Sequence, residues 1–168
     1  MGEQNLTLVD AIQIAMEAEK QAVTLYKDAA QKTAHMVIQH LFSNLVDFEQ
    51  HHYDKLTELA ASLQKKGKFV VYEGYSLPIP AQSEVGFSKE AAGVLAANKV
   101  SVMDIITMAQ NVEQQAGKKY TALAEQTSDS DGKAMFKRLA KEEQNHLRLL
   151  TEVYWNLNDR SVWAWSRG

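Results

Sequence analysis

Apolar residues recur along this chain at three- and four-residue steps in four long stretches, the period of helices that bury one face. Leu8, Ala11, Ile12, Ala15, Ala18, Ala22 and Leu25 predict an amphipathic helix over about residues 7–33. Thr7 and Asp10 mark its start as a capping-box pair with Asp in the place of Glu. Val37, Ile38, Leu41, Leu45, Phe48, Leu56, Leu59 and Leu63 predict a second helix over about 34–65, stopped by Lys65, Lys66 and Gly67. A third spans about 101–127, where Ser101 and Asp104 repeat the cap logic of Thr7 and Asp10. The stretch SDSDG at 128–132 reads as a turn, and a fourth helix follows over about 133–156. Residues 68–100 break the rhythm and hold both prolines, Pro78 and Pro80. They read as an extended crossover carrying a short helix at about 89–98. The pattern predicts an all-α four-helix bundle made of two helical hairpins joined by a long crossover.

Composition narrows the function. The chain has 168 residues, 45% of them hydrophobic, enough for a single domain over 1–168 with a real core. A net charge of -3 offers no field to hold a polyanion, so no nucleic-acid partner is expected. The absence of cysteine removes disulfides, thiolate zinc sites and Cys-ligated iron centres. No apolar run reaches the roughly 18–20 residues that span a bilayer. The N-terminal residues carry no secretory signal pattern. The expectation is a cytoplasmic protein without a membrane partner.

An internal repeat carries the chemistry. Shifting the first helix pair by 94 positions lays Glu19 on Glu113, Tyr26 on Tyr120, Glu49 on Glu143 and His52 on His146. Asp10/Asp104, Ala15/Ala109, Phe42/Phe136, Leu45/Leu139 and Leu56/Leu150 fall in the same register without a gap. Repeated apolar residues mean only that both hairpins pack alike. Repeated charges on the apolar face need another reason. Glu19 and Tyr26 stand two turns apart among Ala15, Ala22 and Leu25, and Glu49 and His52 stand at i and i+3 among Leu45, Phe48 and Leu56. Four carboxylates and two imidazoles are thereby placed at similar depth inside one bundle.

Buried carboxylates in close company are costly unless something positive joins them. A salt-bridge network is one answer, but no Lys or Arg falls on these inner positions. Two divalent cations are the other. One Glu from each of two helices with Glu-x-x-His from each of the other two is the donor set of carboxylate-bridged di-iron and di-manganese sites. Such oxygen-rich ligation suits iron or manganese, although affinity alone also admits zinc or copper. Tyr26 and Tyr120 are read as donors to ligand carboxylates. His51, about 100° round the helix from His52, is read as outer surface, as are His35 and His40; Glu17, Glu58 and Glu142 are read as solvated.

The segments Glu19-KQAVTL-Tyr26, Glu49-QH-His52, Glu113-QQAGKK-Tyr120 and Glu143-QN-His146 resemble the rubrerythrin branch of the ferritin-like superfamily. The resemblance covers the four long helices and implies a ferritin-like bundle holding two iron ions. It implies Glu49 and Glu143 as bridging ligands, Glu19 and Glu113 as terminal ones, and His52 and His146 as one ligand to each metal. Two features depart from that pattern. The family's further Glu, three residues after the third-helix ligand, is here Ala116, followed by Gly117. That makes the ligand set symmetric, closer to a bacterioferritin-type ferroxidase centre. The Cys-rich rubredoxin module is also absent, so electrons would come from an external donor or from Fe(II) itself. The expected function is a di-iron oxidoreductase reducing peroxide or dioxygen, with Gly117 leaving room for the oxidant. The alternatives are a ferroxidase that handles iron and a metal-stabilised scaffold. Family resemblance further implies a homodimer. Trp155, Trp163 and Trp165 near the C-terminus are read as capping the bundle end or a subunit contact, with a partner-docking tag as the alternative.

Overall fold

The computed structural model describes residues 7–34, 36–66 and 99–163, which form four helices. They are α1 (Leu8–Lys32), α2 (Met36–Lys66), α3 (Lys99–Gln126) and α4 (Ser130–Trp163). α1 and α2 pack as one hairpin, α3 and α4 as the other, and α1 lies against α3. The expected crossover and its short helix at 89–98 lie outside the described residues, except that Lys99 and Val100 already belong to α3.

Local chemistry sets the helix ends. Thr7 accepts from the Asp10 amide at 3.2 Å, and the Asp10 carboxylate accepts from the Thr7 amide at 3.1 Å. This closes the capping box expected there. At the other end of α1 the Gln39 amide donates to the Thr33 carbonyl at 2.7 Å, satisfying an acceptor where the chain reverses. Three expected boundaries move. Ser101 falls inside α3, which starts at Lys99, so it is not the cap. α4 starts at Ser130 within the expected turn, because the Asp129 carboxylate accepts from the Gly132 amide at 2.8 Å and acts as the N-cap. α4 also runs on past residue 156 to Trp163, since nothing in LNDRSVW breaks a helix.

The core has two apolar clusters with a polar layer between them. One holds Ala11, Ile12 and Ala15 of α1, Leu56 and Leu59 of α2, Tyr120 and Leu123 of α3, and Phe136 and Leu139 of α4. The other holds Ala22, Tyr26 and Ala29, then Ile38, Phe42 and Leu45, then Val102, Ile106 and Ala109, then Leu150, Val153 and Leu157. Each helix contributes one run to each cluster, with its acidic positions between them. The order of the runs also fixes direction. α1 is antiparallel to α2 and to α3, while α2 ends and α3 begins at opposite ends of the bundle. That is the ferritin-like four-helix arrangement. Val37 is the exception among the expected stripe residues, 38% exposed at the edge of α2.

Candidate metal centre

Glu19 leaves α1 between Ala15 and Ala22, Glu113 leaves α3 between Ala109 and Tyr120, and α2 and α4 supply Glu49 with His52 and Glu143 with His146. All six side chains are buried, none more than 4% exposed. The spacing within each helix turns them inward, and the antiparallel hairpins bring them to one level.

The imidazoles organise the layer. His52 Nδ1 lies 3.5 Å from Glu19 Oε1, 3.2 Å from Glu49 Oε2 and 3.2 Å from Glu143 Oε1. His146 Nδ1 lies 3.2 Å from Glu49 Oε1, 3.3 Å from Glu113 Oε2 and 3.1 Å from Glu143 Oε2. Glu49 and Glu143 therefore each turn one oxygen to each imidazole, whereas Glu19 and Glu113 each serve a single side. Donor atoms of Glu19, Glu49, His52 and Glu143 lie within 4.8 Å of one another, and so do those of Glu49, Glu113, Glu143 and His146. Tyr26 donates from the first hairpin to Glu113, and Tyr120 donates from the second hairpin to Glu19.

Protons alone fit this layer poorly. A ring nitrogen carries one hydrogen, yet three carboxylate oxygens crowd each Nδ1. Among the described residues, Glu49 Oε1, Glu143 Oε1 and His52 Nδ1 are fully buried and lack any hydrogen bond of acceptable geometry. Buried orphans of this kind are expensive, and here they converge on two points. Each point is surrounded by carboxylate oxygens and one imidazole nitrogen, a donor set suited to a divalent iron or manganese ion.

The electrostatics without a metal follow from the same crowding. Burial and the neighbouring Glu49 carboxylate hold Glu19 well above its ordinary range. Burial with Glu49 and Glu143 does the same to Glu113. Burial opposes ionisation of Glu49 and Glu143 as well, but the facing imidazoles of His146 and His52 outweigh it and hold both below the ordinary value. The imidazoles are held well above theirs despite burial, His52 by Glu19, Glu142 and Glu143, and His146 by Glu113, Glu143 and Glu49. Burial and the adjacent carboxylates keep both phenols protonated. Without a cation, Glu19 and Glu113 are biased toward the protonated form and Glu49 and Glu143 toward the carboxylate, facing imidazoles biased toward the charged form.

A family model described as Rubrerythrin matches residues 1–60 and 104–163, one segment over each hairpin. The chain belongs to the rubrerythrin family. A hypothetical protein from Pyrococcus furiosus has a similar solved structure, with 25% sequence identity, a TM-score of 0.63 and 91% of each chain covered. A comparison with curated proteins gives no match. Among the described residues, no helix of this rubrerythrin-family chain is long and apolar enough to cross a membrane.

One expected surface residue belongs to the site. Glu142 is buried, 9% exposed, and its Oε2 lies 2.7 Å from His52 Nε2. Its other oxygen lies 3.6 Å from Arg138 Nε, at the edge of the bundle. Adjacent residues on a helix diverge by about 100°, which sends Glu142 outward if Glu143 points in. The sign that it sits at the edge of the inner stripe is its spacing, three residues after Leu139 and four before His146. Its repeat partner is Phe48, so the two halves differ here. The Phe48 ring meets the His146 ring edge-on at a centroid distance of 3.9 Å, and His146 Nε2 has no hydrogen-bond partner among the described residues. Elsewhere Glu17 and Glu58 are exposed and bond to Gln21 and Lys55, His40 is exposed, and His51 is half-buried. His35 and Trp165 lie outside the described residues. Trp155 is 54% exposed on α4, its ring set T-shaped to Tyr154 at a centroid distance of 5.7 Å, and the side chain of Trp163 lies outside the described residues.

Proposed function

We propose that this chain holds two iron ions in its polar layer and acts as a di-iron oxidoreductase that reduces hydrogen peroxide or dioxygen. The observation that carries the reading is the doubled donor set, in which Glu49 and Glu143 face both imidazoles. In this reading Glu19, His52 and the shared pair hold one metal, and Glu113, His146 and the shared pair hold the other. Two Fe(II) ions bound there supply one electron each, so that one hydrogen peroxide and two protons leave as two waters. The protein's own part is to fix the ligands and exclude bulk water. The two apolar clusters close the layer above and below. Tyr26 and Tyr120 orient the terminal carboxylates Glu113 and Glu19 and hold a proton beside each. Electrons return from an external donor, since the chain has no cysteine with which to build an iron–sulfur relay.

The half-buried Ala116 favours a second reading, ferroxidase chemistry. It leaves the inner ligand set as three residues on each side of the repeat, with no carboxylate at position 116. Rapid mixing of Fe(II)-loaded protein with peroxide, and separately with dioxygen, tests the proposal alongside iron analysis. Two irons per chain and oxidation by peroxide support it, with oxidation lost in Glu49→Ala. Fast oxidation by dioxygen alone, followed by accumulation of many ferric ions per chain, favours the ferroxidase. A protein that binds no iron, or oxidises it equally fast as Glu49→Ala, refutes both.

A further inference from the structure

The repeat that builds the layer is broken beside it. Gly117 corresponds to Val23 and Leu147 to Tyr53 under the 94-residue shift. In the first hairpin Val23 is buried, 7% exposed, and Tyr53 is half-buried. In the second hairpin the smaller residues leave a groove of about 400 Å³, lined by Glu113, Gly117, Thr121, Gln144 and Leu147 among others. It lies between α3 and α4, and Glu113 of the layer is among its lining residues. Tight packing does not require the glycine. A Cβ built on Gly117 would meet Glu143 Cβ at 3.8 Å and the Ala140 carbonyl oxygen at 3.9 Å, both ordinary contacts. Glycine in the middle of a helix destabilises it relative to alanine. What this residue contributes in return is the space.

We propose that small oxidants reach the layer from one side only, through the groove beside Gly117. The Glu113/His146 half is then the one that takes up an exogenous ligand, and the Glu19/His52 half is closed. The groove has room for peroxide or dioxygen, and of the six residues of the layer Glu113 is the one that lines it. The inference rests on the metal-centre reading above.

Azide serves as the probe, titrated into ferric protein and followed by its charge-transfer absorption, with bound iron counted in every sample. The unaltered protein is expected to take up one azide per two irons. Gly117→Val, which copies the opposite hairpin, and Leu147→Tyr, which copies Tyr53, are each expected to weaken azide binding at least about tenfold with both irons retained. Gly117→Ala fits without displacement, so it is expected to weaken azide less and to raise the melting temperature. Undiminished azide binding in both plugged variants, or two azides per iron pair in the unaltered protein, overturns the one-sided access while leaving the metal centre standing. Failure of the unaltered protein to bind two irons overturns the metal-centre reading and this inference with it.

Discussion

His52 faces carboxylate oxygens at Nδ1 and bonds Glu142 at Nε2, whereas His146 has Phe48 against its ring and, among the described residues, no partner at Nε2. A carboxylate on the far nitrogen fixes ring orientation and raises the basicity of the nitrogen that faces a metal. The two halves of the layer are therefore unequal despite identical inner donors. Glu142→Gln keeps the shape and removes the charge. It is expected to weaken metal binding about 10–100-fold at the Glu19/His52 half only. A stepwise metal titration would then show one affinity falling and the other unchanged; an equal fall at both would contradict this assignment. Residues with a repeated partner, such as Glu19 and Glu113, were legible in the sequence because chance does not copy charges on an apolar face. Glu142 was not, because it has no counterpart in the first half. The Tyr26–Glu113 and Tyr120–Glu19 pairs cross between hairpins, and spacing within one helix cannot show that.

Among the elements, what was legible followed the strength of the local signal. The capping box of Thr7 and Asp10 has both of its hydrogen bonds, so the start of α1 was readable from three-residue spacing. Ser101 and Asp104 present the same spacing, yet α3 starts earlier, because a capping pair competes with any upstream residues able to continue the helix. Gly132 reads as a turn residue, but Asp129 three positions before it captures its amide and turns the segment into a first helical turn. The C-terminal end of α4 carried no stop signal at all, and the helix continues accordingly. The fold class survived these shifts because it depends on the period and length of four long stretches, which boundary changes of a few residues leave intact.

At the scale of the whole molecule, the proposed metal binding sets cations against protons in the polar layer. Glu19 and Glu113 are held above the ordinary value of 4.5, and His52 and His146 above 6.5, so the metal-free fold keeps protons that the unfolded chain releases. Where the fold binds more protons than the unfolded chain, stability falls as pH rises. That condition starts at 4.5 for the two carboxyls and at 6.5 for the two imidazoles, and each contribution is lost as pH passes the raised value. Glu49 and Glu143 are held below the ordinary value and act in the opposite sense, favouring the fold as pH rises toward 4.5. The melting temperature of the metal-free protein is expected to fall between about pH 5 and pH 8. The iron-loaded protein is expected to lose less over that range, because cations displace the same protons and bind more tightly as pH rises. Parallel pH dependence in the two forms would contradict the exchange.

The most direct test of the account is an anaerobic Fe(II) titration near pH 6 that counts both irons bound and protons released per chain. The account predicts two irons, matching the two donor groups that share Glu49 and Glu143. It also predicts a release of several protons, up to four, from Glu19, Glu113, His52 and His146. Binding of no iron, or of iron without proton release, would contradict it.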